Sequence, residues 1–225
     1  MGIFRKKPTH WVGKAGEVSS LCADMLKQPH VLIAGASGSG KSVLINSLIY
    51  TAAHYTPERV QLVLIDPKRV ELSEYRQLPH CVGYAADMEK IAGVVGGCVN
   101  LMYQRFERFG VGAKKSTEAD IYIIVDEFAD LVQRADKTIY ENIITLARLG
   151  RAANMHIILA TQTPSRQIIT APIKTNLAAR IALRCEEAIE SRQIIGQAGA
   201  ELLPQYGRGL YRTPETMQPV LWDIP

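Results

Sequence analysis

Residues 35–42 read GASGSGKS and match the pattern G-x-x-x-x-G-K-[S/T] in full. The match lies directly between the apolar run at 30–34 and a stretch after Lys41 in which apolar residues recur at helical spacing. A strand, a glycine-rich turn and a helix N-terminus in this order point backbone N–H groups and the helix dipole at phosphate oxygens. The sequence therefore predicts an α/β chain with a nucleotide-phosphate site at the end of its first strand.

The residues of this loop have different predicted roles. Lys41 neutralises charge on the β- and γ-phosphates and is a candidate catalytic residue, and the Ser42 hydroxyl can ligate Mg²⁺. ATP and Mg²⁺ are therefore the predicted cofactors. The predicted ATP-binding residues are Gly35, Ala36, Ser37, Gly38, Ser39, Gly40, Lys41 and Ser42.

An acidic pair with the character of a Walker B motif follows another apolar run. Asp126 and Glu127 come directly after residues 121–125, so both are expected at the carboxyl end of a buried strand. We expect Asp126 to hold Mg²⁺ through water and Glu127 to polarise the attacking water as a general base. The spacing of 85 residues from Lys41 lets the chain return beside the first strand. The alternative is a pair that only ends the strand and caps a helix.

A neutral amide ends a further predicted strand. Residues 156–160 are apolar apart from His156, and Thr161 and Gln162 follow them. From a neighbouring strand end, the Gln162 amide is placed to contact both the attacking water and the γ-phosphate, which makes it a candidate catalytic residue. The alternative is an ordinary polar ending for a buried strand.

Short apolar runs alternate with stretches of helical spacing along the chain. The predicted strands are 30–34, 60–65, 121–125, 156–160 and 178–183; the predicted helices follow Lys41, follow the N-cap candidate Asp87, fill one long stretch ending near Asn154, and occupy 188–195. This alternation predicts a mainly parallel sheet flanked by helices. The segment 11–29 fits a helix or a strand equally well.

Composition and charge exclude several classes of protein. The 225 residues are 47% hydrophobic and 21% charged, which excludes a disordered chain, a collagen-like repeat and a coiled-coil rod. No apolar run approaches the roughly 20 residues that cross a bilayer, so we expect no membrane span and a cytoplasmic protein. The four cysteines lie far apart without CxxC spacing, so we expect buried, reduced thiols and neither a zinc site nor a disulfide framework.

The chain is expected to consist of a short arm and one domain. Residues 1–10 contain Arg5, Lys6 and Lys7 and lack apolar periodicity, which predicts a basic N-terminal arm; residues 11–225 are predicted to form a single domain. Twenty-six Lys and Arg residues against 22 Asp and Glu residues give a net charge of +4. This charge permits a polyanionic partner without requiring one.

Several segments share a pattern with one family. They are residues 30–43, 65–68, 125–131, 151–156 and 159–162, extended by 173–176, 180–182 and 190–192. Together they resemble the FtsK/SpoIIIE family of DNA-pumping ATPases, and the resemblance runs from about residue 11 to residue 212. It implies a RecA-like motor domain that assembles into a ring, expected to be hexameric, with ATP between neighbours and double-stranded DNA in the pore.

The resemblance also implies roles for three basic residues. Arg151 matches an arginine finger that enters the ATP site of the next subunit and stabilises transition-state charge. Lys174 and Arg192 match pore-loop positions that contact DNA phosphates without reading sequence. The alternatives are a helix-end cation, a role that Arg148 fits equally, and cations that are only solvated.

The sequence departs from the family pattern at three places. Thr163 stands where the family usually has the arginine of A-T-Q-R-P, and Ala188 stands where a basic residue is frequent. Two DNA contacts are therefore expected to be missing. Arg208 lies where the family often has an acidic glycine-rich turn, and it either alters the loop near ATP or supplies compensating charge.

Three functions are compatible with these features. The first is an ATP-driven, ring-forming translocase of double-stranded DNA, serving mobile-DNA transfer or DNA segregation with a loading or recruitment protein. The second is a protein-secretion motor, because relatives in secretion systems use the same ATPase domain on polypeptides. The third is an ATP-dependent adaptor that moves nothing, which leaves Glu127 and Arg151 without an explanation.

Overall fold

The computed structural model describes residues 20–216 and 218–224, and in this part of the chain eight strands form one sheet. They are β1 (His30–Ala34), β2 (Val60–Ile65), β3 (Cys81–Ala85), β4 (Asp120–Val125), β5 (Met155–Thr161), β6 (Ala179–Ala182), β7 (Arg208–Arg212) and β8 (Val220–Asp223). Their order across the sheet is β3-β2-β4-β5-β1-β6-β7-β8. The first six strands in this order are parallel to one another. Strand β7 pairs antiparallel with β6, and β8 pairs antiparallel with β7.

Helices cover both faces of the sheet. They are α1 (Ser20–Met25), α2 (Lys41–Ala52), α3 (Met88–Glu107), α4 (Phe128–Arg134), α5 (Lys137–Leu149), α6 (Ala171–Asn176) and α7 (Ala188–Ile195). Helices α1 and α2 pack on one face, and the other five contribute to the core on the opposite face. Strand β1 is buried on both sides, since Val31 and Ile33 join one core while Leu32 and Ala34 join the other. The mixed, mostly parallel α/β fold is as predicted.

The five predicted strands are confirmed, and their ends differ from the predicted ones by at most one residue. The single long helical stretch ending near Asn154 is wrong. It breaks after Arg134, because Asp136 accepts the backbone N–H of Thr138 at 3.0 Å and so begins a new helix. A 3₁₀ turn over Gly150–Ala153 then precedes β5. Of the undecided segment, residues 20–25 are helical, and 11–19 lie outside the described residues.

The expected neighbour of the first strand is also wrong. Strand β4, which ends at the acidic pair, does not lie beside β1, because β5 lies between them and pairs with both in parallel. The register sets Val125 against Leu159 and Ala34 against Thr161. Consequently the strand that ends in Thr161 lies between the glycine-rich loop at residues 35–42, called the P-loop below, and the acidic pair Asp126–Glu127.

The remaining expectations concern thiols, termini and membranes. Cys22, Cys98 and Cys185 are buried and Cys81 is half-buried, and none of these four described cysteines forms a disulfide. The predicted basic arm at residues 1–10 lies outside the described residues. Across 20–216 and 218–224, the helices are all too short or too polar to cross a membrane.

Candidate nucleotide-binding site and cationic groove

Glycines shape the turn between β1 and α2. Gly38 has φ +71° and Gly40, the N-cap of α2, has φ +93°, which is left-handed backbone that glycine adopts without strain. A Cβ on Gly35 would lie 2.7 Å from Leu183 Cβ and 3.0 Å from the Arg184 carbonyl oxygen. The loop can therefore close tightly against the end of β6, with its backbone curled around the N-terminus of α2.

A buried ion pair links the P-loop to the end of β4. Lys41 Nζ donates to Asp126 Oδ1 at 2.7 Å and to the Asp126 backbone carbonyl at 2.7 Å. The side chains are 3% and 2% exposed. Burial raises the pKa of Asp126 above its usual value, the nearby Lys41 charge opposes that rise, and the Glu71 and Asp66 carboxylates add to it. Lys41 is thus the neighbour that favours the charged form of this carboxylate.

Glu127 is held by donors from two neighbouring strand ends. Its Oε1 accepts the Thr161 hydroxyl at 2.7 Å, and both carboxylate oxygens lie 3.2 Å from the backbone N of Gln162, which donates to them. Lys68 Nζ donates to Oε2 at 3.3 Å. The Glu127 side chain is 2% exposed. The carboxylate is therefore fixed in orientation beside the P-loop.

Sequence reasoning assigns no role to Thr161 or Lys68. Both lie in segments that resemble the family, 159–162 and 65–68, but neither segment shows by itself that its side chain reaches Glu127. Gln162 is predicted to act through its side-chain amide, whereas the contact to Glu127 comes from its backbone N–H. The side chain is half-buried at the end of β5.

Two buried polar atoms at this edge have no hydrogen-bond partner among the described residues: Ser39 Oγ in the P-loop and Asp66 Oδ1 after β2. A bound phosphate, its metal ion or an ordered water can satisfy such atoms. Ser42 is half-buried in the first turn of α2. With Lys41 and Asp126 in contact, these groups fit a magnesium nucleotide. Among the described residues, no three His, Cys, Asp or Glu side chains form a cluster that could hold a metal.

A loop before β7 also approaches the P-loop. A Cβ on Gly38 would lie 3.7 Å from Gln205 Nε2 and 4.0 Å from Tyr206 Oη. The resemblance to the family implies a loop near ATP at this place, but it does not identify Gln205 or Tyr206 as the residues that approach Gly38. Arg208 follows this loop, and its Nε lies 3.5 Å from Asp223 Oδ1 across the β7–β8 pair; both roles that the sequence leaves open for it stay predictions.

Arg151 lies at the opposite edge of the sheet. Its side chain is exposed in the turn before β5. Two hydrogen bonds hold this turn: the Ser116 backbone N–H donates to the Ala152 carbonyl at 2.7 Å, and the Arg105 guanidinium donates to the Ala153 carbonyl at 2.6 Å. The P-loop lies at the carboxyl ends of the parallel strands, whereas Arg151 lies just before the amino end of β5. Seven residues of β5 separate the two edges, or about 20 Å. Arg151 cannot reach its own P-loop.

The two predicted DNA-binding residues lie in one surface groove of about 610 Å³. Lys174 on α6 and Arg192 on α7 line it together with Arg166, to which the sequence pattern assigns no role. Gln193 and the exposed Ile189 also line this cationic groove between α6 and α7.

Comparison with known proteins decides the family. The FtsK/SpoIIIE family model matches residues 6–120 and 110–166. The chain belongs to the FtsK/SpoIIIE family. The DNA translocase FtsK of Caldanaerobacter subterraneus subsp. tengcongensis is 37% identical over 230 residues, which cover 96% of this chain and 32% of that protein. The chain therefore spans about a third of the length of this FtsK relative.

Solved structures show the same family of folds. The pCW3 conjugation coupling protein TcpA, solved with ATPγS, has a TM-score of 0.78 and 25% identity, covering 89% of this chain and 61% of that one. The cytoplasmic domain of the type VII secretion ATPase EccC of Thermomonospora curvata has a TM-score of 0.75 and 27% identity, covering 87% and 25%. The fold is thus that of the P-loop ATPases, including both FtsK-type and secretion ATPases.

Of two positions that depart from the FtsK/SpoIIIE pattern, one lies beside the cationic groove and the other directly precedes the groove residue Ile189 in sequence. Thr163 is exposed and, with Arg166 and Ile189, lines a second depression that continues from the groove. Ala188 is the first residue of α7. The groove thus lacks the cations that the family pattern places at 163 and 188.

Proposed function

We propose that this chain is the motor domain of an ATP-driven translocase of double-stranded DNA. The observation that carries the proposal is the oriented Glu127 carboxylate beside the buried Lys41–Asp126 pair, where the ends of β1, β4 and β5 meet. This arrangement has a phosphate-binding loop, a metal-binding carboxylate and a candidate base at one edge of one sheet. The FtsK relatives and the cationic groove then favour DNA as the substrate that is moved.

The P-loop residues Gly35 to Ser42 hold the nucleotide in this proposal. Backbone N–H groups and Lys41 contact the phosphates, while Ser42 and Asp126 hold Mg²⁺. When bound, Mg²⁺ neutralises phosphate charge and polarises the reacting phosphoryl group. When the nucleotide binds, Lys41 would exchange its carboxylate partner for a phosphate, which would leave Asp126 free to hold the metal. The ATPγS complex of TcpA supports nucleotide binding in this fold.

Glu127 is the proposed general base for water. Thr161 and the Gln162 backbone fix the carboxylate, so it meets the attacking water in one orientation rather than many. The Gln162 side chain is proposed to contact the same water and the γ-phosphate. Lys68 is 42% exposed and lies 3.3 Å from the carboxylate, which makes it the most distant of the three partners of Glu127.

Hydrolysis is proposed to require a neighbouring subunit. Arg151 is exposed about 20 Å from its own P-loop, so it can act only on the site of another copy. A head-to-tail ring pairs the amino edge of one sheet with the carboxyl edge of the next at every interface. We propose a hexameric ring of this kind, with Arg151 as the finger and residues 11–225 as one motor domain.

Duplex DNA is proposed to bind Lys174 and Arg192 in the cationic groove. Cations with no base-reading partners suit backbone tracking, which is independent of sequence. The likeness to TcpA favours mobile-DNA transfer as the setting, with a separate protein that loads the motor onto DNA. Such a motor is proposed to act in the cytoplasm, where it has access to both ATP and DNA.

A protein-secretion motor is the second candidate. The likeness to EccC favours it, as does the depression beside the groove, which is lined by Glu187, Glu190 and the exposed Ile189 and so presents acidic and apolar groups. Such a surface suits a basic or amphipathic peptide better than a phosphate backbone.

ATP hydrolysis measured without DNA, with single-stranded DNA and with duplex DNA separates these functions. We expect several-fold stimulation by duplexes of unrelated sequence, weakening as salt rises because the contacts are ionic. Single-stranded DNA should stimulate less. Equal rates in all three conditions at low salt would favour the secretion motor, and an absence of any hydrolysis would favour an adaptor.

A further inference from the structure

The cationic groove holds three basic side chains that have no close carboxylate partner among the described residues. Glu187 and Glu190 line the adjoining depression, which Arg166 shares, and the charge of Arg192 reaches Glu201 only at longer range. Arg166, Lys174 and Arg192 form no ion pair within 4 Å of a described carboxylate, and the residues that line the groove include no acid. Burial, Arg180 and Arg166 together lower the pKa of Lys174. The field of Arg166 therefore reaches Lys174, and the apoprotein bears a repulsion that an anion would relieve.

The turn after β5 delivers Arg166 to the groove. Ile168 and Ile169 are 2% and 1% exposed, and both donate their backbone N–H to the Ser165 carbonyl, at 3.1 and 2.8 Å. Ser165 in turn donates to the Thr163 carbonyl at 2.9 Å. Because buried isoleucines hold this tight turn in place, the backbone at the exposed Arg166 has a defined position.

A neutral side chain holds Lys174 in place. Lys174 Nζ donates to Gln193 Oε1 at 3.0 Å, and Gln193 Nε2 donates to the Ile169 carbonyl at 2.6 Å. A carboxylate at position 193 would neutralise Lys174, whereas the amide orients it and leaves its charge available. The same amide links α7 to the segment that carries Arg166, because it donates to the Ile169 carbonyl three residues after Arg166.

We propose that Arg166 binds a DNA phosphate and replaces the cation that is missing at Thr163, three positions earlier in the same turn. The inference rests on the proposed function, since it assigns a further residue to the same DNA groove. The guanidinium presents paired N–H donors that match a phosphate, and it shares the groove with Lys174 and Arg192. In this proposal the turn keeps one phosphate-binding cation, at position 166 in this chain rather than at position 163 as in the family pattern.

The test measures duplex binding in the presence of a non-hydrolysable ATP analogue, over a range of salt concentrations. Arg166→Gln should weaken binding and reduce the magnitude of the slope of log K against log salt by about 0.9 for each DNA phosphate that is no longer neutralised. Arg166→Lys should keep most of the slope. Adding Thr163→Arg to the Arg166→Gln variant should restore it, since a cation returns to the same turn.

Arg108→Gln is the matched control, because Arg108 is 58% exposed and pairs with Glu118 away from the groove. It should leave the slope unchanged. If the wild type binds duplex with a salt-dependent affinity but Arg166→Gln has the same slope, the assignment of Arg166 is wrong while the proposed function stands. If the wild type itself shows no salt-dependent duplex binding, the proposed function fails first.

Discussion

Replacing Lys41 by methionine is expected to abolish nucleotide binding and also to destabilise the nucleotide-free protein. Lys41 and Asp126 are almost completely buried, so the substitution leaves the Asp126 carboxylate without its cationic partner in a site that water barely reaches. Breaking such a pair costs about 3 kcal/mol or more. Urea denaturation and a fluorescent ATP analogue measure the two effects separately.

The loss of stability should depend on pH with a definite sign. Burial already raises the pKa of Asp126 in the folded protein, and removing Lys41 raises it further. A carboxyl group whose pKa is higher in the folded than in the unfolded protein, where it is about 3.9, favours folding at pH values below the unfolded pKa. This contribution to the free energy of unfolding is lost as the pH rises through the folded pKa. Lys41→Met should therefore be closer to the wild type in acid than at neutral pH.

A double variant, Lys41→Met with Asp126→Asn, is the control for this prediction. It removes the unpaired charge, so it should regain stability at neutral pH without regaining nucleotide binding. A single variant as stable as the wild type at every pH would contradict the role given to the buried pair.

Glu127→Gln and Arg151→Ala are each expected to lose ATP turnover while retaining nucleotide binding. Removal of a general base costs about a hundredfold or more, and removal of an arginine finger about a thousandfold or more. The two residues act from different subunits in the proposed ring. Mixing the two variants equally should restore activity at about one quarter of the interfaces, where an intact Glu127 meets an intact Arg151.

Arg148→Ala is the matched control for the arginine finger. Arg148 is exposed in the last turn of α5, only three residues before Arg151, and it fits the helix-end role equally well from sequence. It should retain turnover. Mixtures that stay as inactive as their components, or an active monomer at every concentration in light scattering, would contradict the action of Arg151 on a neighbour.

The central strands could be predicted because burial on both faces leaves a continuous apolar signal. Strands β1, β2, β4 and β5 are of this kind. The outer strands β3, β7 and β8 carry exposed or half-buried residues, so their short, mixed sequences resemble loops. The spatial order of β1, β5 and β4 depends on which strands pair across long sequence distances, and the chain pattern does not encode that locally.

The P-loop and the acidic pair could be predicted because each is contiguous in sequence and linked to a strand end. The contacts to Glu127 come from Thr161 and Lys68, which lie 34 and 59 residues away from it. Arg166 has no distinguishing pattern either, since a lone arginine in a polar turn is usually only solvated. Its place beside Lys174 follows from the packing of two helices and the turn.

Directed movement along DNA is the central claim, and displacement of a third strand from a duplex measures it most directly. The wild type should displace the third strand with ATP, fail to do so with a non-hydrolysable analogue, and lose the activity in Glu127→Gln while still binding the duplex. Duplex binding and ATP hydrolysis by the wild type without any displacement would contradict directed movement.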